Sequence, residues 1–480
     1  MLTYRINDSL VPSFLRVAVA QLSEAIGFDV ETLTYTLGLF LCYPLGLVML
    51  NLPNGQIRHL FSFLLGAFLM QFTVGVQWIH QLLTSLIVYG MFMILPRKVN
   101  IWLVPSFVMI YCVLGHLHRQ YVNYLGWDLD FTGTQMVLTQ KLYMMAYNLY
   151  DGEVIAKGKN DRASQKCSAY ALKELPSLLE FLGYTFCFST VLAGPASEFV
   201  MYRNTCDGSL MYDKNGKPKG KIPSNVMPTL KPFLVSLGNL VVFVGLGAYF
   251  PMLNVTNPQS GIPVILSAEF LSKSWFYRYA YTWVGLLVVR QKYYFAWMNS
   301  EGANNIWYAG FEGFDDKGQA IGWENSSNVD IWKFETAENV QTLSKEWNKK
   351  TSLWLTRYVY YRTNGSLISV YSTSAFWHGF YPGYYMFFMS IPLMTFAERV
   401  AKKKLSPYFS QKKWSPFGVV GIIVTSFFVE YFVIPFVMLA RDRSWDAWKS
   451  HYFFGHILCL AFYVAVSQLP NPKFDKKKSN

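Results

Sequence analysis

Long apolar stretches recur along this chain and are separated by short polar segments. Candidate membrane spans lie at 33–50, 60–75, 78–95, 101–115, 178–193, 230–250, 276–294, 366–381, 384–396, 417–439 and 453–468. A helix needs about 20 mostly apolar residues to cross the hydrocarbon core of a bilayer. The pattern therefore predicts an all-α, polytopic membrane protein with about 10–11 transmembrane helices, together with re-entrant or interfacial helices.

The composition supports a membrane location. Hydrophobic residues make up 52% of the chain and charged residues 15%, whereas soluble globular chains carry about 25% charged residues. The net charge is +13, but the basic residues form short clusters between apolar stretches. A membrane surface explains that placement better than nucleic acid does, so we expect no nucleic-acid partner. The cysteines and histidines lack zinc-type spacing, and we expect no metal.

Basic clusters indicate which segments lie on the cytoplasmic side. They occur at 157–173, 214–221, 399–413 and from 473 to the C terminus. Only one apolar stretch, 178–193, separates the first cluster from the second, and a single crossing would place one of them on the wrong side. We therefore predict that 178–193 does not cross the membrane but is a re-entrant element or a buried helix.

The same count of crossings organises the rest of the chain. It places the glycosylation sequon at 254–256 in the lumen and the segment 296–362 on the cytoplasmic side. Apolar residues recur at helical spacing in that segment, which predicts amphipathic helices at the membrane surface. We expect one membrane domain over 1–480, with an interfacial segment at 1–30 and a cytoplasmic basic tail at 470–480.

The C terminus carries a candidate sorting signal. Lys477 and Lys478 lie four and three residues from the end of the chain. This is the position of the di-lysine retrieval signal of endoplasmic reticulum membrane proteins, and the alternative is a basic tail that only aids solubility. Because the predicted topology also puts the C terminus in the cytoplasm, we expect residence in the endoplasmic reticulum membrane.

One histidine is isolated in apolar sequence. Tyrosines apart, His378 is the only ionisable residue between 363 and 397. An ionisable group at membrane depth costs a few kcal/mol and usually serves function, although a hydrogen bond for packing is the alternative. We expect a neutral imidazole that can act as a general base. Gly379 and the pair Pro382-Gly383 should end the helix and admit a substrate, or form an ordinary turn.

A second polar cluster precedes this histidine. In the segment EWNKKTSLW, Asn348 and Thr351 share one helical face, and Trp347 and Trp354 lie two turns apart. An asparagine amide can hold a developing oxyanion or orient a carbonyl group, although alone it is more often an ordinary surface residue.

Charged residues near these groups allow more than one interpretation. Lys350 and Arg357 could bind a phosphorylated ligand, or could be ordinary basic residues of the cytoplasmic side. Glu430, alone in FFVEYFVIPFVML, could support the helix bundle or orient a catalytic group. His116 and His118 have no third metal ligand at a convincing spacing, which favours a helix-end position at the interface. The chain lacks H-x-x-x-x-D, G-x-S-x-G and Walker A motifs.

Three segments resemble the membrane-bound O-acyltransferases, and more narrowly their lysophospholipid acyltransferase branch. They are DFTGTQMVLTQKLYMMAYNLYDG at 130–152, the Gly194-Pro195 element in VLAGPASEFVMY, and NVDIWKFETAENVQTLSKEWNKKTSLWLTRYVYYR at 328–362 followed by SAFWHGFYPGYY at 374–385. The resemblance implies helices around an intramembrane chamber, with catalytic His378 and its partner Asn348. It also implies acyl-CoA as donor, a lysophospholipid as acceptor, membrane lipids as surroundings and no cofactor.

The residues near this pair are candidates for substrate binding. They are Trp347, Lys350, Thr351, Arg357, Trp377, Gly379, Tyr384 and Glu430. Within the family, the alternative acceptor is another hydroxyl, of a sterol, a diacylglycerol or a peptide serine. Outside it, the alternative is a lipid transporter or scramblase with no enzymatic activity. The headgroup, the acyl chain and the oligomeric state stay open, and composition allows a homo-oligomer.

Overall fold

The computed structural model describes residues 11–27, 29–126, 129–254, 261–405 and 413–470. Helices dominate these residues, which contain two isolated β-bridges and no β-strand, so the all-α prediction is confirmed. The first helices in chain order are α1 Ser13–Ile26, α2 Val30–Asn51, α3 Gln56–Val74, α4 Trp78–Ile94, α5 Arg97–Val122, α6 Phe131–Ala156, α7 Arg162–Lys166, α8 Leu178–Thr185 and α9 Phe199–Cys206.

The remaining helices form the C-terminal part of the bundle. They are α10 Val226–Gly247, α11 Ala268–Leu271, α12 Trp275–Ile306, α13 Ile331–Glu335, α14 Val340–Glu346, α15 Lys349–Leu355, α16 Leu367–His378, α17 Pro382–Leu405, α18 Pro416–Met438, α19 Arg441–Ser450 and α20 Phe454–Ser467. Three predicted features lie wholly or partly outside the described residues: the first ten residues of the N-terminal segment, sequon residues 255–256, and tail residues 471–480.

Among the described residues, fewer helices are long and apolar enough to span a membrane than the 10–11 predicted. Five stretches are long and apolar enough to cross a membrane: α2, α5, α10, α18, and the 39 residues that α3 and α4 form together. Helices α19 and α20 would add one more span, bent by 67°. Helices α6 and α12 are also long, but they bury polar residues such as Lys141 and Asn299. Neighbouring helices therefore cover them, and their sequences do not need the uniform apolar surface that lipid requires.

The segment 178–193 forms no helix long enough to cross a membrane, which agrees with its prediction as a re-entrant element or buried helix. Helix α8 has eight residues, which gives about 12 Å of length at 1.5 Å per residue. The turns that follow are buried, and Lys141 of α6 donates to the Tyr184 carbonyl and to the Thr190 hydroxyl, both at 2.9 Å. Ser300 of α12 donates to the carbonyl of Ser189 at 2.7 Å. Side chains of neighbouring helices thus form hydrogen bonds with polar groups of this irregular segment, which is buried away from water.

The helix predicted from the apolar stretch 276–294 is longer than that stretch, because α12 continues to Ile306. The sequence between 294 and 306 reads as polar, but Asn299, Ser300 and Asn304 are buried against neighbouring elements, so the helix needs no apolar surface there. Beyond it, α13, α14 and α15 are short, with five, seven and seven residues. Helices occur in this segment as predicted, and its cytoplasmic location stays a prediction.

An ion cluster of one buried and two half-buried residues joins this segment to the bundle. Arg290 of α12 donates to both oxygens of Glu335 on α13, at 3.1 and 3.0 Å, and pairs with the carboxylate of Glu430 on α18. Tyr294 also donates to Glu335 at 2.6 Å. The partner of Glu430 is therefore an arginine, and among the described residues Glu430 forms no hydrogen bond with His378. This arrangement favours the bundle-supporting role that was one of two alternatives for Glu430.

Replacing Arg290 should destabilise the fold strongly. The Arg290→Met variant leaves two carboxylates without their cation, and breaking a buried pair in this way costs about 3–5 kcal/mol. The thermal unfolding midpoint of purified protein should fall clearly. Lys273→Met is the matched control, since Lys273 pairs with Glu269 at the surface at 3.8 Å and such pairs contribute about 0–1 kcal/mol. Equal midpoints for the two variants would contradict the structural role.

Candidate active site

The helix that carries His378 ends at that residue. Gly379 follows with φ of 109°, a conformation that L side chains rarely adopt. A Cβ atom at Gly379 would lie 3.1 Å from Cγ of His116, so a side chain would also be crowded there. Pro382 then begins α17. The predicted break after the histidine is confirmed, and it places the imidazole at a helix end.

Aromatic rings surround the half-buried imidazole of His378. Its ring centroid lies 4.8 Å from that of Trp377, 5.7 Å from Tyr384, 5.4 Å from Phe388 and 5.2 Å from Phe436. Within the described part of the chain, neither ring nitrogen hydrogen-bonds to a protein group. Packing therefore orients the ring, and a nitrogen is available to accept a proton from a ligand.

A second histidine lies against this break, and sequence reasoning placed it elsewhere. His116 belongs to α5, and its Nε2 atom lies 3.2 Å from the carbonyl oxygen of Trp377 and 3.5 Å from Sγ of Cys112. The sequence predicted an interfacial helix end, whereas α5 continues past this residue to Val122. The position of His116 could have been predicted from Cys112, which lies one helical turn earlier on the same face of α5. Cys112 is buried, so that face of the helix packs against protein.

Asn348 precedes α15 and has a left-handed backbone, with φ of 47° and ψ of 52°. Asparagine adopts this conformation more readily than most residues. Its side chain does not cap the helix. Instead, its Oδ1 accepts hydrogen bonds from the Thr351 hydroxyl at 2.8 Å and from Asn328 Nδ2 at 3.2 Å. The predicted proximity of Asn348 and Thr351 is confirmed.

Helix α6 connects the surroundings of the two predicted catalytic residues. Gln140 donates from Nε2 to the Thr351 hydroxyl at 2.8 Å, and the Met136 carbonyl accepts from the indole of Trp377 at 2.9 Å. These two α6 residues are one helical turn apart, about 6 Å along the axis. The neighbours of Asn348 and His378 are thus held by the same turn of α6.

Two of the predicted tryptophans have packing contacts that explain their positions. Trp347 lies among four aromatic rings at centroid distances of 4.9 to 5.8 Å: Tyr293, Tyr294, Trp297 and Phe334. This cage anchors the residue directly before Asn348. The ring of Trp377 is 6% exposed and lies 6.0 Å from that of Trp354. Trp347 therefore holds the adjacent Asn348 in place, and Trp377 holds the adjacent His378 in place.

Lys350 and Arg357 line one small cleft. The cleft is lined by Met144, Ala196, Ser197, Glu198, Met201, Lys350, Leu353, Trp354 and Arg357. Arg357 pairs with Glu198 at 3.0 Å and donates to the hydroxyl of Tyr170 at 2.9 Å, so its charge is already compensated. The ammonium of Lys350 donates to the Glu324 carbonyl at 2.8 Å. Burial, with the nearby cations Lys349 and Arg357, lowers the pKa of Lys350 to about 8.

One buried carboxylate that lines this cleft was not identified from the sequence. Glu198 is 2% exposed and accepts hydrogen bonds from Arg357, from the Tyr358 hydroxyl at 2.9 and 3.0 Å, and from Asn148 Nδ2 at 3.0 Å. It ties α6, α9 and the turn after α15 together. The sequence could have indicated a special role for this residue, because Glu198 is the only charged residue in VLAGPASEFVMY.

Within the described part of the chain, one group of residues has the chemistry of metal ligands. Ligand atoms of His59, Glu180 and Asp207 lie within 4.8 Å of one another. However, the Nδ1 atom of His59 lies 3.0 Å from the hydroxyl of Tyr202 and its Nε2 atom lies 3.3 Å from Asp207. Hydrogen bonds account for both ring nitrogens, and we assign no metal to this group.

The fold and this site define a helical membrane protein. Its imidazole at residue 378 has no hydrogen-bond partner among the described residues, and its oriented carboxamide at residue 348 is anchored through Thr351 to α6. Residues 110–431 match the family model of the MBOAT, or membrane-bound O-acyltransferase, family. The chain belongs to this family and is an O-acyltransferase, as the resemblance of its three segments predicted.

Curated relatives match most of the chain. Membrane-bound glycerophospholipid O-acyltransferase 1 of Mus musculus is 32% identical over 87% of this chain and 84% of that protein. Membrane-bound glycerophospholipid O-acyltransferase 2 of Homo sapiens is 32% identical over 88% and 81%. Lysophospholipid acyltransferase of Schizosaccharomyces pombe is 28% identical over 95% and 90%.

Proposed function

We propose that this protein transfers an acyl chain from acyl-CoA to the free glycerol hydroxyl of a lysophospholipid, a reaction of phospholipid remodelling. The names of the relatives support the acceptor class. The observation that carries the chemistry is the arrangement of His378 and Asn348, whose neighbours hydrogen-bond to one turn of α6. An unpaired imidazole supplies a base, and a carboxamide supplies a hydrogen-bond donor.

The reaction proceeds by direct transfer. A ring nitrogen of His378 takes the proton of the lysophospholipid hydroxyl while that oxygen attacks the thioester carbonyl carbon. The new C–O bond forms a tetrahedral oxyanion, which the amide of Asn348 stabilises. The C–S bond then breaks, and the coenzyme A thiolate leaves with the proton from the imidazolium. The step needs no cofactor, because the thioester supplies the activated acyl group.

Lys350, which lines the small cleft, supplies a cation for the coenzyme A phosphates. Lys350 has no carboxylate partner among the described ion pairs, whereas Arg357 is paired with Glu198. We assign phosphate binding to Lys350 and the positioning of Glu198 to Arg357. The sequence also supports residence in the endoplasmic reticulum membrane, through the lysines at 477 and 478.

The experiment uses purified full-length protein and oleoyl-CoA. Release of free thiol is measured with lysophosphatidylcholine, lysophosphatidylethanolamine, lysophosphatidylserine or lysophosphatidylinositol, and with cholesterol or diacylglycerol. The expected result is lysophospholipid-dependent release with an equal amount of new phospholipid by mass spectrometry. Release that depends only on the sterol or diacylglycerol, or lipid movement across vesicles without thiol release, would replace the proposal by one of its alternatives.

A further inference from the structure

We infer that Asn328 is a positioning residue that determines which end of the Asn348 amide faces the substrate. The inference rests on the proposed function, in which Asn348 donates to the reacting carbonyl oxygen. Asn328 lies before α13 and is only 3% exposed. It belongs to the segment that resembles the family, yet no property of the sequence singled it out.

The backbone near Lys350 determines the orientation of Asn328. The backbone N–H of Lys350 donates to Oδ1 of Asn328 at 3.1 Å, and a backbone N–H can only donate. The oxygen of the Asn328 amide must therefore face Lys350, and its Nδ2 must face Asn348. The backbone N–H of Lys349 donates to the Asn328 carbonyl at 2.8 Å, which holds the two segments in register.

Asn328 in turn orients Asn348. An amide nitrogen can only donate, so the atom of Asn348 that lies 3.2 Å from Asn328 Nδ2 is its oxygen. The Thr351 hydroxyl donates to the same oxygen at 2.8 Å, while its own oxygen accepts from Gln140. Both donors require the same orientation. The Nδ2 of Asn348 therefore faces away from them and, within the described residues, has no protein partner.

This orientation matters because the two ends of a carboxamide have nearly the same shape. Packing alone cannot select between oxygen and nitrogen, whereas hydrogen bonds can. With Nδ2 toward the substrate, Asn348 donates to the developing oxyanion. With the amide rotated by half a turn, it would present an oxygen lone pair to that negative charge. Asn328 thus decides whether Asn348 helps or opposes the reaction.

The test is the Asn328→Asp variant of the full-length protein. A carboxylate has the same shape and still accepts from the Lys350 N–H, but it cannot donate to Asn348. The Asn348 amide should rotate to donate to the carboxylate. We expect kcat for transfer from oleoyl-CoA to lysophosphatidylcholine to fall about 100-fold, as for loss of an oxyanion donor. KM should change little, because this interaction forms only in the transition state.

The pH profile distinguishes this role from a merely structural one. A protonated carboxylic acid regains a donor, and an ordinary aspartate has a pKa of about 3.9. Between about pH 8 and pH 6, the protonated fraction rises about tenfold for each unit that the pH falls. Because the ionised form keeps about 1% of the wild-type kcat, the ratio of variant kcat to wild-type kcat should stay nearly level from about pH 8 to about pH 7 and then rise about twofold by about pH 6. A structural defect would leave this ratio constant.

Asn339→Asp is the matched control. It makes the same charge change in the same segment, but Asn339 caps α14 by accepting from Thr342 at 2.8 Å, and aspartate caps a helix equally well. Its kcat should equal that of wild type. If Asn328→Asp is not recovered folded, Asn328→Ala also removes the donor to Asn348 without adding a charge and should lower kcat about tenfold, the worth of one hydrogen bond.

The outcomes separate this inference from the proposed function. If wild type acylates lysophosphatidylcholine and Asn348→Ala does not, wild-type kcat in Asn328→Asp, or a ratio independent of pH, overturns the role of Asn328 alone. If Asn328→Asp does not fold, wild-type kcat in Asn328→Ala does the same. If wild type acylates no lysophospholipid, the proposed function fails and this inference fails with it.

Discussion

His378→Ala is expected to lower kcat for phospholipid formation by about 100- to 10,000-fold, the usual contribution of a general base. The imidazole has aromatic neighbours and no hydrogen-bond partner among the described residues, so its removal deletes a proton acceptor and breaks no polar network. Initial rates of phospholipid formation from oleoyl-CoA and lysophosphatidylcholine measure the effect. Thermal unfolding of the same preparation shows whether the fold is intact.

A second half-buried histidine provides the control for this prediction. His456 also lies among aromatic rings, but its nitrogens lie 2.7 Å from the Tyr431 hydroxyl and 3.1 Å from that of Ser390. His456→Ala should lower stability more than His378→Ala does while leaving kcat near the wild-type value. Equal activity of His378→Ala and wild type would exclude His378 as the base.

Asn348→Ala is expected to lower kcat by about 100- to 1,000-fold while KM stays nearly constant, because an oxyanion donor acts on the transition state. The change also places alanine in a left-handed backbone, which costs about 1–2 kcal/mol of stability. Steady-state kinetics with oleoyl-CoA as the varied substrate measures kcat and KM separately.

Asn364→Ala controls for this strain. Asn364 has a similar left-handed backbone, with φ of 51°, at the end of the turn before α16. The control should show the same loss of stability without the loss of kcat. Similar kcat values for the two variants would mean that backbone strain, not the amide, accounts for the effect of Asn348→Ala.

Local patterns were enough to predict part of this site. The isolation of His378 in apolar sequence, with Gly379 after it, predicted both a functional residue and the helix end that the structure shows. The spacing of Asn348 and Thr351 predicted a contact that occurs at 2.8 Å. Each of these conclusions concerns residues at most three positions apart, where helical geometry decides which side chains meet.

Contacts between distant segments could not be predicted in this way. Gln140 meets Thr351, and Arg290 meets Glu430, although many residues separate the members of each pair. No periodicity connects such positions, so the sequence left the role of Glu430 open and gave none to Gln140. Helix α6 shows the same limit, because its polar residues face protein and its sequence does not resemble a lipid-facing span.

The central claim is that the imidazole of His378 and the amide of Asn348 act on one bound pair of substrates. The most direct measurement is the initial rate of phospholipid formation by the double variant His378→Ala/Asn348→Ala, compared with each single variant. Residues that act as a unit show strongly non-additive losses. We predict that the double variant is at most about tenfold slower than the slower of the two single variants. A double variant whose loss equals the product of the two single losses would contradict the claim.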